Sequence, residues 1–142
     1  MARSPCSFRF TALSCIAIDV DSSMIVHPDF RHGARLFDDR RFFEAHDVWE
    51  ELWMETPGER RVFYQGMIQA AVAYYHASNG NGKGAAHLLE RSMEKLEHFT
   101  PQCEGVDVQK LLLALKAHLG YFVEGLKMGS ISLPDDCPKL GL

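Results

Sequence analysis

From residue 28 onward the apolar positions recur with helical periodicity. Phe30, Ala34 and Phe37 stand at i, i+4 and i+7 with Asp29 in the first turn, which predicts a short helix over residues 28–38. Asp38 and Asp39 are placed to cap a second helix, whose apolar stripe is Phe42, Ala45, Trp49, Leu52 and Trp53. Thr56, Pro57 and Glu59 read as N-cap, first helical residue and capping-box acid of a third helix over about 59–78. The run NGNG, Asn79 to Gly82, stops that helix and turns the chain. A fourth helix carries Ala85, Leu88, Leu89, Met93 and Leu96 and closes at Thr100-Pro101. The last, over about 106–127, carries Val108, Leu111, Leu112, Leu115, Leu119, Phe122 and Leu126 and ends at Gly129. No segment alternates with period two, so no strand is expected.

The pattern therefore predicts an all-α fold, a compact bundle of about five helices. It is built from two helical hairpins, 28–54 and 59–98, plus a C-terminal helix. Residues 27–130 form the expected helical domain and 131–142 a C-terminal tail. Residues 1–26 are set apart as a disordered or non-native N-terminal extension, with Met24 as an alternative start just before the patterned region. The two hairpins partly repeat. Gly33, Leu36, Ala45, Trp49 and Pro57 fall in tetratricopeptide-like places, and Ala73, His76, Ala85 and Leu89 form a weaker second copy. The copies are 40 residues apart, Ala45 to Ala85, which makes a distorted hairpin pair rather than a solenoid.

Composition narrows the partners. The 142 residues are 46% apolar and 24% charged with a net charge of −4, the make-up of one soluble globular domain. Arg40-Arg41 and Arg60-Arg61 are the densest basic spots and acids flank both, so nucleic acid is not an expected partner. No apolar run is long enough for a membrane span. A small molecule or a protein partner remains open, as does a homo-oligomer. Cys6, Cys15, Cys103 and Cys137 lie too far apart for a zinc ribbon or a dense disulfide framework, and a reducing cytoplasm suits them. The first 25 residues carry early arginines and serines and no acid before Asp19, which leaves an organelle-targeting segment as the other reading.

Candidate chemistry concentrates in FFEAHDVWEELW, residues 42 to 53. At about 100° per residue, His46 lies roughly 60° and Glu50 roughly 100° from the apolar centre near Trp49. Glu44 and Glu51 project to the solvent side, with Asp47 on the far edge. The third helix is apolar almost all round through Phe63, Tyr64, Met67, Ile68, Ala70, Ala71, Ala73, Tyr74 and Tyr75, which makes it central. Its polar exceptions, Gln65, Gln69 and His76, share a narrow stripe that a hairpin would turn toward His46 and Glu50. Trp49, Trp53, Tyr74 and Tyr75 are expected as core packing.

Two functions are consistent with this pattern. In one, His46, Glu50 and His76 hold a divalent metal such as zinc or manganese, and Glu50 is the catalytic carboxylate. Gln65 and Gln69 then orient a polar substrate for hydrolysis by activated water. In the other, the cluster only fixes helix register and the protein is a tetratricopeptide-like module whose grooves bind a partner segment. HExxH and Glu-x-x-His motifs are missing, and GNGKG at Gly80 to Gly84 lacks the strand context of a phosphate loop.

FFEAHDVWEELW together with FYQGMIQAAVAYYHASNGNGKGA, residues 63 to 85, resembles the signature of domain-of-unknown-function family 309. The likeness spans about residues 29–98, with Asp47 where the family usually has Glu. It implies a compact helical bundle, sometimes described as a predicted metal-dependent hydrolase. It also implies polar site positions at Glu44, His46, Asp47, Glu50, Gln65, Gln69 and His76. All but Glu44 lie on or beside the stripe drawn from helix angles.

Overall fold

The computed structural model describes residues 25–142. Its five α-helices are, in order, α1 (Pro28–Asp38), α2 (Phe42–Glu55), α3 (Glu59–Ser78), α4 (Gly82–Leu96) and α5 (Val108–Met128). α1 packs on α2, α2 on α3, α3 on α4 and α4 on α5, so the expected hairpins form and α3 is the shared central helix. Among the described residues no helix is long and apolar enough to cross a membrane.

Aromatic packing holds the hairpins together. Phe30 of α1 stacks on Trp49 of α2 with ring centroids 5.2 Å apart and reaches Tyr64 of α3 at 5.5 Å. Trp49, Tyr64, Tyr74, Phe30, Phe37, Phe63, Phe99 and Phe122 are fully buried. Each contributes roughly 1.5–3 kcal/mol or more by its removal from water. The indole N–H of Trp49 donates to the Phe30 carbonyl at 3.0 Å, so its one polar atom is satisfied inside the core.

Several local expectations are corrected. α2 begins at Arg41 rather than on an aspartate cap, and α3 begins at Gly58, in the left-handed region with φ 77°. Thr56 instead closes α2, its hydroxyl donating to the Leu52 carbonyl at 2.7 Å. α4 passes into a short 3-10 turn, Glu97–Phe99. A two-residue antiparallel ladder, β1 (Gln102–Cys103) with β2 (Val106–Asp107), precedes α5. It is too short to show period two, which is why no strand was legible. Tyr75 is 36% exposed and Trp53 half-buried, so two of the four expected core aromatics stand at the surface edge. Cys103 is buried and disulfide-bonded, whereas Cys137 is a buried free thiol. The expectations for residues 1–24 lie outside the described residues.

A buried carboxylate pins the ends of three elements. Glu104, fully buried in the turn of the β-ladder, accepts the His27 amide at 3.1 Å, and Arg60 of α3 approaches it at 2.7 Å. Burial pushes the Glu104 pKa up, against the opposing effects of the His27 amide, Arg60 and the Tyr64 hydroxyl.

The tail, residues 131–142, lies against the bundle without regular structure. Asp38 caps this segment rather than α2. Its carboxylate accepts the amides of Leu140 at 2.6 Å and Gly141 at 2.9 Å.

Candidate metal centre on the second helix

His46 sits one turn after Phe42, with its side chain 18% exposed and its ring 5.3 Å from that of Phe43. Its Nδ1 lies 3.2 Å from the Phe43 carbonyl oxygen and 3.2 Å from Asp47 Oδ1. Two acceptors at one ring nitrogen favour the proton there, so in the neutral imidazole Nε2 keeps its lone pair. Glu50 Oε1 lies 3.7 Å from that Nε2. A metal-binding histidine is commonly oriented in this way, with its other nitrogen held by a carbonyl or carboxylate.

Helix geometry explains the grouping. Residues at i and i+4 stand one turn apart on one face, while Asp47 reaches the ring from the adjacent strip. One ligand atom from each of His46, Asp47 and Glu50 lies within 4.8 Å of the others. A tetrahedral ion bound at about 2.0–2.1 Å would hold its ligand atoms roughly 3.3 Å apart. Both carboxylates are exposed; to join an ion on Nε2, Asp47 would have to leave Nδ1, where the Phe43 carbonyl still accepts the proton. One nitrogen with two carboxylate oxygens fits zinc or manganese.

The facing helix supplies part of what was expected. Phe42 packs against Tyr74 at 5.3 Å and Phe43 against Tyr75 at 5.0 Å, which sets the antiparallel register of α2 and α3. In that register Gln69 is level along the axis with residues 47–49 and Gln65 with residues 51–53. Both are half-buried, and Gln69 Oε1 is buried with no hydrogen-bond partner among the described residues. Trp53 Nε1 is likewise without one, while the Arg61 guanidinium lies 4.0 Å over the Trp53 ring.

His76 stands outside the group, contrary to the expectation that it would supply a ligand. The same register puts it level with residues 40–42, at least one turn from His46, or about 6 Å along the axis. Its Nδ1 instead lies 3.4 Å from Asn81 Nδ2, in the turn between α3 and α4. Glu44 is exposed and accepts from Arg41 Nε at 2.7 Å. The Arg41 hydrogen bond holds its carboxyl below the usual carboxylate range. That pairing gives Glu44 a local role away from the triad.

Sequence reasoning missed a second polar centre. His118 of α5 is buried, with Nδ1 2.7 Å from the Tyr74 hydroxyl and Nε2 3.1 Å from Asp136 Oδ1. His118 holds the Asp136 carboxyl below its usual range, and burial pushes the Tyr74 hydroxyl far up. The signal was available: position 118 falls between Leu115 and Phe122 in the buried i, i+3, i+4 series of α5.

Comparison with known proteins covers the same segment. The uncharacterized protein YpuF of Bacillus subtilis (strain 168) is 40% identical over 76 residues, 51% of this chain and 44% of that protein. An uncharacterized protein of Aquifex aeolicus (strain VF5) is 25% identical over 80 residues, 56% of this chain and 24% of that protein. The chain thus spans less than half the length of either relative. Residues 30–88, which include His46, Asp47, Glu50, Gln65 and Gln69, match the model of the family described as Domain of unknown function (DUF309).

Proposed function

We propose that His46, Asp47 and Glu50 bind a divalent cation, zinc or manganese, and that the protein is a small helical metal-dependent hydrolase. The observation that carries this reading is the triad: three donor groups within 4.8 Å of one another. The engaged Nδ1 of His46 adds support, because it leaves Nε2 beside Glu50 for a ligand. Three protein ligands leave a coordination position open, and a cation held there would supply a water of lowered pKa.

The chain's own groups account for the rest. Glu50 is half exposed and has a second carboxylate oxygen to accept a proton. Gln69 and Gln65, both half-buried, extend the polar stripe on the facing helix. A tetratricopeptide-like interaction module is the second reading, and it draws on another face, where residues 131–142 are held as an extended segment.

The test is metal content and affinity of protein prepared without a histidine tag. Elemental analysis and zinc and manganese titrations would compare the native chain with His46→Ala, Glu50→Gln and His76→Ala. Stoichiometric binding that His46→Ala and Glu50→Gln abolish and His76→Ala leaves intact supports the reading, given unchanged circular dichroism. Failure of the native chain to bind either ion overturns it.

A further inference from the structure

We infer that the bundle face holding residues 131–142 is a receptor for an extended peptide, and that its occupant in trans is the same segment of a second copy of this chain. The grip is mostly on main chain. The Asp38 carboxylate accepts the amides of Leu140 at 2.6 Å and Gly141 at 2.9 Å, while Arg40 donates to the carbonyls of Pro134 at 2.9 Å and Asp135 at 3.3 Å. Backbone hydrogen bonds plus spaced side-chain anchors are the means by which extended peptides are bound.

The anchors are specific to this segment. Ile131 fills a notch where Gly82 and Gly125 lack side chains, since a Cβ on either would lie 2.6 Å from Ile131 Cδ1. Cys137 is buried, and Asp136 meets the buried His118 at 3.1 Å. Clefts of about 410 and 420 Å³ run along the segment, one against His118 and Tyr121 and one against Lys110 and Leu111. The segment therefore lies over α5 without being sealed into it.

The turn that brings the segment back onto its own bundle is short. Gly129 ends α5 in the left-handed region with φ 76°, and the Ser130 amide bonds the Gly125 carbonyl at 3.0 Å. If α5 continued straight through Gly129, residues 131–142 would leave their own bundle, and a second copy presents an identical face to receive them. This is the exchange by which domain swapping makes dimers with no new contact surface. The occupant is this segment because its fit is already visible.

Isotopically light and heavy full-length chains, equilibrated together at high concentration, test the exchange. A zero-length carbodiimide would then couple the Lys139 amine, which donates to the Asp38 carbonyl at 2.7 Å, to the neighbouring Asp38 or Asp39 carboxylates. Mass spectrometry of the coupled peptides should find mixed light–heavy pairs in the dimer fraction. Gly129→Ala adds a Cβ that meets nothing within 4 Å, so it penalises the left-handed turn without touching the receptor face. It should raise the mixed fraction about fivefold. Purely light and purely heavy pairs at every concentration and in both chains would overturn the exchange, as would a dimer without mixed pairs. Complete failure to couple Lys139 in any form would overturn the docking itself.

Discussion

The indole of Trp49 occupies the space that a side chain on Gly33 would need. A Cβ built at Gly33 would lie 2.5 Å from Trp49 Cδ1, while the same indole donates to the Phe30 carbonyl one turn earlier on α1. α1 and α2 can approach this closely only because residue 33 has no side chain. Gly33→Ala should therefore force the ring off its hydrogen bond and its stack on Phe30. The expected loss is about 1–3 kcal/mol, typical of overpacking, read as a lower urea midpoint at unchanged slope.

Tyr74 and His118 join α3 to α5 through a buried hydrogen bond of 2.7 Å. Tyr74→Phe keeps the ring against Phe42 but leaves His118 Nδ1 buried without that partner. The cost should be about 1–3 kcal/mol, as for one unmatched buried polar group. Denaturant unfolding measures it, and a Tyr74→Phe chain as stable as the native one would deny the bond any net stabilising role.

Glu104 makes stability depend on pH in a direction that its burial sets. Its folded pKa is raised, mainly because desolvation of the carboxylate outweighs the attraction of Arg60. An acid with a raised folded pKa holds more protons in the folded state, so unfolding becomes easier as pH rises. Its contribution is most favourable below the unfolded value of about 4.3 and is lost as pH rises through the folded value. Glu104→Gln cannot ionise. The unfolding free energy of the native chain minus that of Glu104→Gln should fall as pH is raised from about 4 and then level off. A difference that stays constant across that range would refute the assignment.

The helices were legible because they rest on periodic burial. Phe30, Ala34 and Phe37 of α1, or Leu111, Leu115 and Phe122 of α5, state their face in their spacing. Caps were less legible. Asp38 looks like an N-cap because an amphipathic helix begins just after it in sequence, but its carboxylate is taken by Leu140 and Gly141, a hundred residues on. The candidate site divides along the same line. His46 and Glu50 share one helix, so their proximity is a consequence of i, i+4 spacing. Bringing in His76 required the register between two helices, and a shift of one turn is enough to separate it. The burial of His118 shows in its spacing from Leu115 and Phe122, but its pairing with Tyr74 is made by tertiary packing and leaves no such local trace.

A cation at the α2 triad must compete with protons for His46. Nε2 can bind an ion only in the neutral imidazole, and the two carboxylates bind only when ionised. Binding should therefore release protons and weaken as pH falls. Because an ion that binds the folded chain alone also stabilises it, saturating zinc or manganese should raise the melting temperature of the native protein. The increase should shrink as pH is lowered and vanish in His46→Ala at every pH. His76→Ala should keep the full increase, since His76 stands outside the triad beside Asn81. Calorimetry in buffers of different ionisation enthalpy measures the released protons directly. Cation affinity unchanged in His46→Ala would place the ion on carboxylates alone and remove His46 from the site.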